Sequence, residues 1–225
     1  MNTKVNEKNA LEIESLVVKP AKLEGSVKVS GAKNSVLRLM AATILTSETM
    51  AIHNYPATLL DAIVHKDMLS VLGKTCVVED DILFVKEESG LKNKLDWDGR
   101  SIRNTLLILG GLVARTGFGA VPLPGGCSIG GGSGDRAYDL HLMLLEKLGA
   151  RVWEEDGYLC AESKEGKLTG ADIHLPIRST GATENAIIAG SLAHGVTRIW
   201  NPHVRPEILD LIDMMNSMGA QITVF

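Results

Sequence analysis

Three stretches of this chain share one design, and that repetition limits the fold more than any other feature of the sequence. The first is SGAKNSVLRLMAATILTSETMAIHN from Ser30, the second SIRNTLLILGGLVARTGFGAVPLPGG from Ser101, and the third STGATENAIIAGSLAHGVTRIWNP from Ser179. Each opens on small polar residues and an asparagine, runs through an apolar stretch of helical length, breaks at a polar or glycine turn and ends in a strand-like stretch. Asn34, Asn104 and Asn185 stand 70 and 81 residues apart. A second segment follows each copy: DAIVHKDMLSVLGKTCVVEDDILFV, DRAYDLHLMLLEKLGARVWEEDGYLCA and PEILDLIDMMNSMGAQITVF. Apolar residues three and four apart, such as Leu140, Leu144, Leu145 and Leu148, give these segments a helical period. They close on Gly73, Gly149 and Gly219, where glycine suits the left-handed residue after a helix. Hairpins follow in the first two copies, turning at Glu79–Asp81 and Glu155–Gly157.

The unit is therefore strand–helix–strand–helix–strand–strand. One copy cannot bury its own apolar helix, so the copies must pack together, with those helices in a common core and the sheets outside. The expected domain covers residues 16–225, in units of about 24–90, 91–165 and 170–225, after a disordered arm over 1–15. The third unit reaches Phe225 without its last strand, and we expect the chain to be cut short or to continue into something further.

A formal net charge of -4 gives no sign of a nucleic-acid or membrane partner. The polar opening MNTKVNEKNALEIES lacks the apolar run of a signal peptide. The longest apolar stretch, Thr105 to Ala114, is too short to cross a bilayer and reads as a buried helix. Cys76, Cys127 and Cys160 are scattered without zinc-type spacing, which suits reduced thiols in the cytoplasm and no bound metal.

Chemistry concentrates at the unit openings. In Gly31-Ala32-Lys33-Asn34, free N–H groups at a helix start favour an anion and Lys33 adds a full charge. Arg103 occupies the matching helix start in the second copy. Two cations at equivalent places could converge on one anion, or the repeat could simply duplicate polar caps. The loop from Pro122 to Arg136 carries six glycines between Gly125 and Gly134. Ordering it is entropically costly, and its amides could wrap a phosphate or close as a lid. Cys127 within it would have its thiolate stabilised by Lys33, Arg103 and Arg136, whereas Cys76 and Cys160 fall in strand patterns and read as small core residues. His141 reads as a cap or surface residue, and Glu207 as an acid suited to the first turn of the last helix.

Together, LEGSVKVSGAKNSVL, LPGGCSIG, YDLHLMLLEKLGA, STGATENAIIAGSLAHGVT and RPEILDLIDMMNSMGAQI resemble the UDP-N-acetylglucosamine 1-carboxyvinyltransferase family, from about Leu16 onward. The resemblance implies one domain of an enolpyruvyl transferase. Its fold is three pseudo-symmetric βαβαββ units in an inside-out α/β barrel, as in the related shikimate-pathway transferase. It also implies transfer of an enolpyruvyl group from phosphoenolpyruvate to UDP-N-acetylglucosamine, for peptidoglycan precursors, without metal or organic cofactor. By likeness, Lys33 holds the phosphate of phosphoenolpyruvate and Asn34 neighbours the substrate. Arg103 matches the arginine of the family's MRAS-like segment. Cys127 is the proton donor of the loop. Arg136, Asp139, Leu140 and His141 match the RxxDLH segment at phosphate and uracil, and Ser179, Thr180 and Gly181 the backbone along the nucleotide.

Departures from the family pattern bear on the acceptor. Five residues, Gly131 to Asp135, stand where the family has one. RPVDLH reads Arg136-Ala137-Tyr138-Asp139-Leu140-His141, the lysine before the SVGAT-like segment falls on Ile177 beside Arg178, and AREPEI reads His203-Val204-Arg205-Pro206-Glu207-Ile208. The family's second domain, with its acidic base and further phosphate-binding arginines, is expected in the same or another chain. Two alternatives stay open: another nucleotide-type acceptor in secondary metabolism, or a non-catalytic nucleotide-sugar-binding fragment.

Overall fold

The computed structural model describes residues 17–123 and 138–225. The expected arm over 1–15, and Cys127 and Arg136, lie outside these residues. The first unit contains α1 (Lys33–Ala42), β1 (Met50–Ile52), α2 (Leu60–Val71), β2 (Lys74–Glu79) and β3 (Ile82–Glu87). The second contains α3 (Thr105–Thr116), β4 (Phe118–Pro122), α4 (Asp139–Lys147), β5 (Ala150–Glu155) and β6 (Tyr158–Ser163). The third contains β7 (Asp172–His174), α5 (Thr180–Gly190), β8 (Arg198–Trp200) and α6 (Pro206–Ser217).

Three separate sheets result, ordered β1-β3-β2, β4-β6-β5 and β7-β8, so the units are pseudo-symmetric rather than parts of one wound sheet. Each of α2, α4 and α6 is followed by its closing glycine in the left-handed region, with φ of 100° at Gly73, 89° at Gly149 and 101° at Gly219. The two hairpins turn where the sequence places them, through Asp80 at φ 54° and Asp156 at φ 50°.

The first helix of each unit is the inner one. All of α3 from Thr105 to Ala114 is buried, as befits a helix almost wholly apolar, and so is α5 from Ala182 to Ala189, although that stretch includes Thr183, Glu184 and Asn185. The second helices are amphipathic; α6 buries Ile208, Leu211, Ile212 and Met215 on one stripe. Between α3 and α5 the backbones approach closely: a Cβ added at Gly110 would sit 1.9 Å from Oδ1 of Asn185. A buried ion cluster ties the first two units. Glu87 at the end of β3 receives Lys74 Nζ at 2.8 Å and both terminal nitrogens of Arg115, at 2.6 and 3.0 Å. Arg115 also donates to the carbonyls of Ile44 and Thr46.

Two expectations need correction. Residues 24–30 form no strand, and Val27 and Val29 are exposed. In the second unit a parallel bridge joins Lys94 to Ala120, and in the third β7 pairs in parallel with β8. Nothing among the described residues pairs with the equivalent edge of β1, so the segment before Gly31 lacks the hydrogen bonds that would make it a strand. Second, α5 begins at Thr180, because the Ser179 hydroxyl accepts from the Ala182 amide and caps it there, leaving Asn185 inside the helix rather than at its start.

Candidate functional site

The acids of this fold are distributed in a pattern. The outer helices α2, α4 and α6 each carry one in the first turn: Asp61, Asp139 and Glu207. The inner helices α1, α3 and α5 carry none. An acid in the first turn cancels the positive end of the helix dipole. The outer helices are thus compensated internally, and the inner ones leave their N-terminal ends positive for something else.

Lys33 is the first residue of α1, and its half-exposed ammonium lies 2.9 Å from Oδ2 of Asp61. Asp61 Oδ1 in turn lies 3.9 Å from Nε of Arg100. One carboxylate therefore gathers a cation from the α1 start and another from the segment leading into α3. Asn34, next to Lys33, is exposed and its side chain makes no hydrogen bond among the described residues. Its counterparts are engaged: Asn104 Nδ2 donates to the Leu37 carbonyl and to Nδ1 of His65, at 3.0 and 2.9 Å, and Asn185 Nδ2 donates to Nδ1 of His141 at 3.0 Å.

Arg103 occupies the turn before α3. Its charge reaches His141, whose pKa falls to about 4, first through burial and then through Arg103. His65 behaves alike, lowered to about 3 by burial and by Arg38. The reading of His141 as a surface or capping residue is therefore corrected: it is buried, because Asn185 receives it beneath the α5 start.

Asp139 and Leu140 line a cleft of about 490 Å³ together with Met143, Lys147, His174 and Pro176. On its flank the His174 ring stacks on Trp200, with centroids 5.6 Å apart and planes 10° apart. Ser179, Thr180 and Gly181 form the start of α5, where Gly181 leaves room for the His141 ring: a Cβ there would sit 3.3 Å from Nε2. Thr180 Oγ1 lies 2.8 Å from Nδ1 of His203, one of the residues departing from the expected pattern. Of the cysteines, Cys76 and Cys160 lie among the described residues. Cys76 is half-buried with its thiol pushed up to about 11, mainly by burial, and Cys160 is buried in β6 and also raised. Among the described residues no group of three or more His, Cys, Asp or Glu side chains gathers as a metal set. No helix among them is long and apolar enough to cross a membrane.

Asp61, Arg100, His65, Arg38 and Glu184 belong to this region, and sequence reasoning passed over them. One signal was present for Asp61: it stands 12 residues before its closing glycine, as Glu207 does in the third copy.

Residues 17–224 match the family model described as EPSP synthase (3-phosphoshikimate 1-carboxyvinyltransferase). A UDP-N-acetylglucosamine 1-carboxyvinyltransferase of Carboxydothermus hydrogenoformans is 44% identical over 89% of this chain and 46% of its own length. One of Paracoccus denitrificans is 40% identical over 89% of this chain and 46% of its own length. The chain spans about half the length of these curated relatives. Among solved structures, the enolpyruvyl transferase NikO from Streptomyces tendae superposes with a TM-score of 0.74 at 23% identity, covering 89% of this chain and 46% of that one. EPSP synthase from Acinetobacter baumannii gives 0.68 at 18%, covering 89% and 45%. These two likenesses speak for the fold.

Proposed function

The chain belongs to the EPSP synthase family, and from that premise we propose that it supplies one half of an active site moving an enolpyruvyl group from phosphoenolpyruvate to a hydroxyl of UDP-N-acetylglucosamine. The observation that carries this reading is the inner–outer asymmetry: three uncompensated helix starts, with Lys33 and Arg103 at two of them, on a chain 44% identical to an enzyme of that name. Both substrates are anions, and such ends favour phosphate and carboxylate.

The reaction needs the acceptor oxygen to bond to C2 of phosphoenolpyruvate while a proton reaches C3. The carbon–oxygen bond to phosphate then breaks, and C3 releases a proton to restore the double bond. Negative charge develops on the departing phosphate, where Lys33, Arg103 and Arg136 act electrostatically. Cys127 delivers the proton to C3. The base that receives the acceptor's proton belongs to the other half of the enzyme. Asp139, Leu140 and the cleft beside them hold the nucleotide, with Ser179–Gly181 along it, and Asn34 keeps its amide unspent for substrate. Such an enzyme works in the cytoplasm on peptidoglycan precursors.

Isothermal titration of each ligand into the chain tests this. We expect UDP-N-acetylglucosamine to bind and phosphoenolpyruvate to bind more tightly in its presence. Binding of neither would sink the reading, and preference for a different nucleotide would favour another acceptor, as the changes at Ile177 and His203 would then explain.

A further inference from the structure

The three inner helices form a triangle in which α3 packs on both α1 and α5. Its remaining side, which α6 spans by packing on both α1 and α5, also holds an ion pair: Arg38 Nε of α1 lies 2.5 Å from Glu184 Oε1 of α5. Both residues sit about one turn inside their helices, five positions after Lys33 and four after Thr180. The Glu184 side chain is 1% exposed and that of Arg38 15%. Among the described residues neither carboxylate oxygen of Glu184 nor Arg38 Nε has a partner in hydrogen-bond geometry, so the charge of Arg38 at ion-pair distance is what stabilises this carboxylate in a dry setting. Removing one member of such a pair leaves the other buried and uncompensated.

We propose that Glu184 is a positioning residue of the transferase site: its pairing with Arg38 holds the α1 start, bearing Lys33 and Asn34, level with the α5 start, bearing Ser179–Gly181. The inference rests on the enolpyruvyl-transfer reading for what those two ends bind. It assigns a single buried charge the task of linking the phosphoenolpyruvate half of the site to the nucleotide half.

Other groups face Glu184 as follows. From α1 comes Arg38, and from α6 comes Glu207, itself 3.3 Å from Arg205. From α4, His141 reaches the neighbouring Asn185, and α3 presents Gly110 there. Burial, helped by the charge of Glu207, raises the Glu184 carboxyl to about 7 against the pull of Arg38. His141 and His65 stay neutral down to about 4 and about 3. Burial thus places Glu184 where it changes charge near neutral pH. The link is complete above its midpoint and weakens below it.

Backbone amide NMR of residues 1–225 between about pH 5.5 and about 8.5 tests the proposal, in a His203→Gln background that removes the imidazole in contact with Thr180. The amides of Lys33 and Asn34 should titrate with those of Thr180 and Gly181 at one shared midpoint near 7. Glu184→Gln should abolish the shared transition at both ends. Arg38→Gln, which keeps the carboxyl but removes its partner, should move the midpoint upward by at least one pH unit and serves if the first variant does not fold. Persistence of the α1 transition in Glu184→Gln, or a response at α5 alone, overturns the proposal. Phosphoenolpyruvate added at high pH separates the two claims: a shared transition without any shift at Lys33 and Asn34 on adding it keeps the link but removes the transferase reading.

Discussion

Across the α4–α5 seam, the Asn185 side-chain amide donates to Nδ1 of His141 over 3.0 Å. An amide nitrogen can only donate, so Nδ1 must accept and the imidazole must be neutral with its proton on Nε2. The α2–α3 seam repeats the arrangement with His65 and Asn104 at 2.9 Å. In the third seam, α6 presents Leu211 at the corresponding position, eight residues before Gly219. There the hydroxyl of Ser35 bonds Asp210 instead, which leaves Asn34 to the solvent.

These neutral imidazoles should govern acid sensitivity. Their folded values of about 3 and about 4 lie below the ordinary 6.5, so from 6.5 downward the unfolded chain binds more protons and stability falls with pH. The loss approaches about 1.4 kcal/mol per pH unit for each histidine. Glu184, raised from 4.5 to about 7, has the opposite sign: between those values stability falls as pH rises. Urea midpoints over this range should therefore show a partial cancellation, and Glu184→Gln should steepen the decline on the acid side. A decline of unchanged slope would show that this carboxyl does not titrate there.

Glu87→Ala should be among the most damaging single changes. Burial pushes the Glu87 carboxyl up, but hydrogen bonds from Arg115 and Lys74 outweigh it and hold the group below its ordinary value. Removing it strands two cations, one with a side chain 1% exposed. A loss of about 3–5 kcal/mol is expected in urea denaturation, and a loss under about 1 kcal/mol would mean that water reaches the cluster.

Lys33→Ala should weaken phosphoenolpyruvate binding about tenfold to a hundredfold, the worth of one charge-assisted hydrogen bond, and leave nucleotide binding nearly unchanged. Asp61→Asn should weaken it less, since the ammonium remains but loses the partner that orients it. Calorimetry on the two variants distinguishes charge from placement: equal losses would make orientation the whole effect.

Cys127 should label first when the native chain meets a small neutral thiol reagent, with Cys160 and Cys76 following, since burial raises both of those thiols. Mass-spectrometric mapping over time checks the order. Lys33→Ala and Arg136→Ala should slow Cys127 selectively; if neither does, its reactivity owes nothing to those cations. The chain alone should release negligible phosphate from both substrates together.

The architecture was legible because local chemistry repeats. A closing glycine and an apolar helix each announce themselves within a few residues three times over, and a two-residue hairpin turn does so twice. Less visible were features made by distant partners. His65 finds Asn104 39 residues away and Arg38 finds Glu184 146 residues away, and no local pattern marks either pair. Asn185 was misplaced for a related reason: the repeat aligned the asparagines, but Ser179 decides where α5 begins. The segment before Gly31 has a strand's alternation, in Val27 and Val29, yet alternation supplies no partner strand. At the candidate site, Lys33 and Arg103 were marked by their helix starts, whereas Asp61 became meaningful only when folding brought it to Lys33.

The missing acids at the inner helix starts set a limit on how this protein can be improved. Asp or Glu placed in the first turn of α1 or α3 should stabilise the fold by about 0.3–1 kcal/mol each, so a screen for thermal tolerance would collect them. Each would also put a negative charge where the proposed reading seats phosphate. The native sequence forgoes that gain at three separate helices, and variants selected for robustness alone should drift toward well-folded, inert protein.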